Sequence, residues 1–306
     1  MQRIGPLLVG WVTLAAGPAV AQQAAGTMLW RLAATTLPVP PALATGTAAT
    51  FWNPAQADDS ARTALAIEAL QTPAAIGASG MIAALRVRVR AVGEVGLVYG
   101  RVGVGDITRT ADSPDPVGGT VAVYTSVIGA TWSRALGDSG ARTIIGATLG
   151  FHETRLDAAR AQRWTIDIGA GRTLAGGALR VAAATHFFSS LDAADPAQDI
   201  YAGIEGRLWQ GSLWGDRALL RGRYGLSFAH GFAPDHVFGA GGEFGGGTSL
   251  ALDAGVVREG SSGVAGWRLV AGLRLRVGKY RVTLARDAGV NELGSTYRVG
   301  VDARFR

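Results

Sequence analysis

Side chains able to do chemistry are few in this chain, and their spacing suits no catalytic centre. The four histidines, His152, His186, His230 and His236, fall on separate segments without the close spacing of a metal site. His152-Glu153 and Asp235-His236 are adjacent pairs, and neighbours on a strand point to opposite faces. His186 and Ser189 stand three apart, which again divides them between two faces. No Gly-x-Ser-x-Gly elbow and no phosphate-cradling Gly-Lys-Ser/Thr loop occurs. Asp58-Asp59 reads as a solvated loop pair. Glycine runs such as Gly241-Gly242 and Gly245-Gly246-Gly247 match kinks, bulges and close strand approach better than nucleotide loops. These residues predict no catalytic group, no metal site and no cofactor.

Arginine carries the stronger pattern. In Leu85-Arg86-Val87-Arg88-Val89-Arg90 the three arginines share one face of a strand and the aliphatic residues the other. Trp267 to Val277 repeats this, setting Arg268, Arg274 and Arg276 opposite Trp267, Leu269, Leu273 and Leu275. Tyr297 to Phe305 does so again, with Arg298, Asp302 and Arg304 on the polar side. Alternation of this kind points to a polar interior and an apolar exterior. Parity assigns Arg86, Arg88, Arg90, Glu94, Asp167, Glu205, Arg207, Arg221, Arg223, Asp253, Arg274, Arg276, Arg298 and Asp302 to that interior, together with Glu243, Arg268, Arg281 and Arg304. Opposite charges would pair across it, because an unpaired charge in a narrow lumen is costly. Such a row serves equally as an ion-pair network or as the lining of a path.

Composition agrees. Of 306 residues 45 are glycine and only 17% are charged, although 48% are hydrophobic. The two long uncharged runs, 32–57 and 69–85, are broken by Pro38, Pro40, Pro41, Pro54 and Pro73, so neither offers a membrane-spanning helix. A chain that crosses a bilayer without helices must close a barrel. The formal charge of +6 comes from arginines scattered along strands rather than from basic tails, which argues against nucleic-acid binding. With no cysteine, disulfides and thiolate metal sites are excluded. Residues 1–21 read as a secretory signal: Arg3, an apolar stretch from Ile4 to Gly17, and the small-x-small site Ala19-Val20-Ala21.

From Thr63 onward about fourteen alternating segments follow, near 63–71, 81–92, 94–107, 120–134, 142–156, 162–173, 178–190, 198–210, 217–231, 236–245, 248–258, 265–277, 279–288 and 295–306. Connections after the even-numbered segments are mostly short, and those after the odd-numbered ones mostly longer and polar. Gly211 to Asp216 breaks the rule by being too long for a tight turn. This alternation is the loop pattern of an outer-membrane barrel with both termini at the periplasmic end. Trp164, Phe228, Trp267, Tyr280 and Tyr297 sit near segment ends, where interfacial aromatic girdles belong. The expected fold is an all-β, transmembrane, antiparallel up-and-down barrel of about 14 strands over 63–306, with a small N-terminal plug over 22–62.

Phe51-Trp52-Asn53-Pro54-Ala55 forms a local stop just before the first segment and is the expected plug or entrance motif. It resembles the Asn-Pro-Ala element near the mature N-terminus of the FadL-type and PorV-type outer-membrane proteins. Val98-Tyr99-Gly100-Arg101 through Gly105-Asp106-Ile107 resembles the third-strand ending typical of the PorV-type branch, and Ile128 to Asp138 and Thr165-Ile166-Asp167-Ile168-Gly169 resemble its later strands. The resemblance implies a fourteen-stranded barrel with a plug and one of two roles: passage of small hydrophobic molecules such as fatty acids, or docking and secretion of proteins. Expected partners are outer-membrane lipid, a hydrophobic small-molecule ligand, a secretion-system or cargo protein and the outer-membrane barrel assembly machinery, but no nucleic acid.

Overall fold

The computed structural model describes residues 29–56, 61–105, 107–110, 116–137, 141–187, 198–229, 232–260, 266–289 and 294–305. The expected signal segment, the Asp58-Asp59 pair, Ser189 and His230 lie outside them. The strands are β1 Thr63–Gln71, β2 Ala78–Val89, β3 Gly93–Val104, β4 Thr108–Thr110, β5 Pro116–Thr120, β6 Val123–Leu136, β7 Thr143–Leu156 and β8 Ala159–Leu174. They continue as β9 Leu179–His186, β10 Asp199–Leu213, β11 Asp216–Ala229, β12 Asp235–Gly245, β13 Thr248–Glu259, β14 Gly266–Val277, β15 Tyr280–Asp287 and β16 Thr296–Phe305.

Among the described residues, fourteen of these strands close into one antiparallel barrel, β1 pairing with both β2 and β16. Closure satisfies the backbone of every edge, which is the condition for crossing lipid with strands. The short β4–β5 hairpin stands outside the barrel sheet, on the 105–122 connection that the sequence pattern read as a plain loop. At one end lie the start of β1, the end of β16 and the tight connections, including Trp214-Gly215 between β10 and β11. The turn expected to be too long is therefore two residues, because β10 carries a bulge at Arg207/Trp209 and runs on to Leu213. At the other end, the β7–β8 connection is also tight, just Asp157-Ala158, where a five-residue loop was expected.

Pleat parity divides the side chains cleanly. Leu65, Ile67, Leu97, Ile128, Leu149, Ile166, Leu252, Leu269, Val299 and Val301 stand exposed on the outer face. Water would not tolerate so large a continuous apolar surface, whereas hydrocarbon would. Trp164, Phe228, Trp267 and Tyr297 mark the loop end of this belt, and Tyr280, Phe305 and Trp209 the turn end. None of the described helices is long and apolar enough to cross a membrane.

Residues 29–56 do not join the wall. They begin as a short helix, 29–35, and continue through the 3-10 turns Pro41–Leu43 and Ala48–Phe51. This stretch lies against the inward face: Trp30, Ala33, Leu43, Phe51 and Trp52 form one core with Leu70, Ile82, Val98, Val102 and Val127 of the wall. Inward glycines make the room. A Cβ on Gly100 would stand 2.6 Å from both Phe51 and Trp30, and one on Gly203 2.6 Å from Leu43. Gly146 and Gly169 face Pro54 and Asn53, Gly225 faces Pro40, and Gly272 faces Pro38. Glycine in these strands was expected to serve kinks and strand–strand approach; at these positions it serves the inserted segment.

That yields a sign reversal to measure. In a strand interior, Gly→Ala ordinarily stabilises by about 0.5–1 kcal/mol. Gly146→Ala is expected to destabilise instead, by about 1–3 kcal/mol, since its Cβ would fall on the Pro54 carbonyl. Gly242→Ala, whose Cβ meets nothing within 4 Å, is the control and should be neutral or stabilising. Urea unfolding midpoints in micelles decide; equal shifts for the two variants would sink the account.

Candidate functional site

The Phe51–Ala55 motif is held by its own local chemistry. Pro54 ends the Ala48–Phe51 turn, having no N–H to continue it. The Asn53 Oδ1 accepts the Ala55 N–H at 2.9 Å, closing an Asx turn, while its Nδ2 donates to the Ala42 carbonyl at 2.8 Å. Gln56 Nε2 donates to the same carbonyl at 3.0 Å. Asn53 thus clips two stretches of the segment together. Phe51 lies edge-on to Trp52 at 5.0 Å and tilted against Trp30 at 4.9 Å, within the range where aromatic pairs attract.

Wall residues complete an aromatic nest around this motif. His186 stands 5.3 Å from Phe51 and 5.4 Å from Trp52, and Phe187 stands 5.6 Å from Trp30 and 4.3 Å from His152. Trp30 donates from Nε1 to Thr125 Oγ1 at 3.0 Å. His152 and His186, separate in sequence, thus meet through Phe187 rather than through a shared ligand. Among the described residues no group of three or more His, Asp or Glu is placed to hold a metal.

The lumen arginines do two jobs at once. Arg86, Arg268 and Arg298 each bond both a wall carboxylate and a carbonyl of the inserted segment, which suits the planar five-donor guanidinium. Arg86 donates to Glu94 at 2.8 Å and to the Gln56 carbonyl. Arg268 donates to Glu259 and Asp287, both at 2.6 Å, and to the Thr35 carbonyl at 3.0 Å. Arg298, 2% exposed, donates to Glu68 at 2.7 Å, to Thr36 Oγ1 at 2.8 Å and to the Ala33 carbonyl, and its guanidinium lies 5.6 Å from the Trp52 ring. Asp302 accepts the Thr47 N–H at 2.7 Å. Arg274 reaches Asp253 and Thr45 Oγ1, both at 2.9 Å, and Arg180 reaches Gln56 Oε1 and the Leu43 carbonyl.

Of the residues that sequence parity set inside, Arg86, Arg88, Glu94, Asp167, Glu205, Arg207, Arg221, Arg223, Asp253, Arg274, Arg276, Arg298 and Asp302 stand on inward positions of their strands. Arg90 does not. β2 ends at Val89, and Arg90 lies exposed in the turn to β3, where the alternating pattern outlasts the strand. Sequence reasoning missed Trp30, Arg180 and Phe187, and did not bring His152 and His186 together. For Arg180 the parity signal was present in Leu179-Arg180-Val181; for the others nothing short of the folded lumen reveals the nest.

Among the described residues, one seam of the wall carries a short ladder. β8 and β9 are paired over six residues only, from Gly169↔Ala184 to Leu174↔Leu179, although β8 is sixteen residues long. Beyond that ladder, among the described residues, side chains take over: Thr185 Oγ1 accepts the Ile168 N–H at 3.0 Å, and Asp167 accepts the Phe187 N–H at 2.6 Å. Phe187, at φ 57°, is in the left-handed region that a bulky residue seldom enters. Asp167 also stands 3.3 Å from His186.

A closed barrel with an apolar outer belt and a charged interior, whose first strand starts and last strand ends at the tight-turn end, has one home. The chain is a bacterial outer-membrane β-barrel. No protein-family model matches it, and no curated protein does. Solved structures are similar to it. The Ralstonia pickettii toluene transporter TbuX aligns at a TM-score of 0.53 and 13% identity, over 86% of this chain and 95% of that one. The outer membrane protein Omp33 of Acinetobacter baumannii aligns at 0.47 and 10% identity, over 80% and 98%. At such identity the TbuX likeness bears on the fold alone, and the Omp33 likeness carries no argument.

Proposed function

We propose that this barrel, a member of the FadL/PorV type by its motifs, passes small hydrophobic, fatty-acid-like molecules across the outer membrane, with residues 29–56 acting as the plug. The observation that carries the proposal is the β8–β9 ladder, six residues long among the described residues and succeeded by side-chain bonds, beside the aromatic nest of Trp30, Phe51, Trp52 and Phe187. An apolar solute gains nothing from an arginine-lined axis, but a wall seam that opens onto aromatic rings offers it a dry route. Asp167 and Thr185 close that seam with side-chain bonds, which part more readily than a continuous ladder. The toluene transporter with this fold is a precedent for an apolar cargo.

The chain has no native cysteine, so the seam can be locked. Ile168→Cys with Thr185→Cys, both on the outer face, is expected to block uptake of a labelled fatty acid into liposomes when oxidised and to restore it when reduced. Trp52→Ala and Asn53→Ala should alter the uptake rate. Wild-type uptake no greater than that of empty liposomes would overturn transport. Undiminished uptake by the oxidised pair would overturn the lateral route.

A second function, favoured by the number of arginine bonds that grip residues 29–56, is a non-transporting barrel that docks a secretion-system or cargo protein. It expects no uptake by any variant and capture of a partner at the loop end.

A further inference from the structure

The turn-end half of the lumen holds a cavity of about 290 Å³ under the inserted segment. Val39, Leu43 and Thr45 of that segment form one side. The remaining wall is strongly basic: Arg180, Arg221, Arg223, Arg274, Arg276 and Arg281 line it, against the carboxylates of Glu205 and Glu243. Asp253 stands just behind and accepts Arg223 at 2.5 Å and Arg274 at 2.9 Å. Even with all three carboxylates ionised, three positive charges are in excess.

Strand register makes the excess deliberate rather than incidental. Arg276 and Arg281 are directly opposite each other on β14 and β15, and Arg207 and Arg221 on β10 and β11. Like charges in directly opposed positions oppose strand pairing, and each of these pairs points into the lumen. Glu205 is already committed to Arg221 at 2.8 Å and Arg223 at 2.5 Å. Asp302, across from Arg281 on β16, is shared with the Thr47 N–H and with Arg304 at 3.2 Å. The buried Arg276 Nε has no hydrogen-bond partner among the described residues, while the other end of that guanidinium donates to the Gly246 carbonyl at 2.6 Å.

We propose that this cavity binds a small polyvalent oxyanion, phosphate or a short polycarboxylate, that enters from the turn end of the barrel. A dianion or trianion neutralises the surplus, and its oxygens match the paired N–H edges of guanidinium groups. The cavity admits a compact anion of a few heavy atoms rather than a lipid. Its chemistry is the opposite of the aromatic nest, so the barrel holds two sites of different polarity. The anion site stands independently of hydrophobic transport.

The test is calorimetric titration of the refolded full-length protein in uncharged detergent at low ionic strength, with inorganic phosphate, with citrate and, as control, with chloride at matched ionic strength. Saturable binding of phosphate or citrate and none of chloride is expected. Arg276→Gln with Arg281→Gln should weaken it about tenfold or more, charge-assisted bonds being lost. Arg286→Gln, on the outer face, should leave it unchanged. Glu243→Gln, which removes a competing negative charge, should tighten it and keeps the proposal testable if the double variant does not fold. Heat-modifiable gel migration reports folding. No saturable binding by wild type, binding retained by the folded double variant, or weakening by Glu243→Gln would each overturn the site. Phosphate binding without citrate binding, or the reverse, identifies which oxyanion class it takes.

Discussion

Deleting residues 29–56 is expected to turn a silent barrel into a conducting one. The segment, proposed above as the plug, holds the inward face at five strands: Trp30 reaches β6, Thr36 reaches β16, Thr45 reaches β14 and Gln56 reaches β2 and β9. A fourteen-stranded wall without it encloses a water-filled, arginine-lined bore. In planar bilayers the full-length chain should show no steady current, and the deletion variant a steady, anion-selective one. The fold should survive, because the segment contributes no strand to the sheet. Its stability should fall, because Arg86, Arg180, Arg268 and Arg298 each lose a backbone carbonyl. A deletion variant that folds yet conducts no better than the full-length chain would refute the plug.

Arg298→Ala is expected to be the most damaging single substitution in the lumen. It strips Glu68 of its partner and removes the bonds to Thr36 and Ala33 together. Breaking a buried ion pair from one side costs about 3–5 kcal/mol, as the surviving charge is left without compensation. Arg298→Lys should recover only part of this, since one ammonium cannot span the carboxylate, the hydroxyl and the carbonyl that the fork reaches. Arg298→Ala with Glu68→Gln should lose less than Arg298→Ala alone, for no orphaned charge then remains. Urea midpoints of the three variants check the order; a double variant no better than Arg298→Ala would show that the Glu68 charge is not the cause.

The wall was legible in the sequence because its rule has a period of two. Leu85–Val89, Trp267–Val277 and Tyr297–Phe305 each declare an inner and an outer face, and the tight connections declare which strands are neighbours. Errors arose where that rule stops carrying information. Arg90 continues the alternation past the last paired residue, and the bulge at Arg207/Trp209 moves a turn by changing parity within one strand. The expectation of opposite charges pairing across the lumen was incomplete for a different reason. Periodicity sees side chains, and what the arginines hold besides carboxylates is backbone: the carbonyls of Ala33, Thr35, Leu43 and Gln56. The aromatic nest was illegible since Trp30, His152 and Phe187 come together only through three-dimensional closure. Phe51-Trp52-Asn53-Pro54 was legible as a stop, and Asn53 and Pro54 carry that out locally.

The bonds from Arg298 to Ala33 and Thr36 link positions 265 and 262 residues apart, and β16 is also the strand that meets β1. The last hairpin made therefore completes two things in one event: it joins the two ends of the sheet, and it clasps the first part of the chain. Contacts of such high contact order form late and slowly. An N-terminal stretch already inside when the cylinder shuts lets β16 make both sets of contacts together. A barrel that shuts empty lacks the anchor that its final strand was made to find.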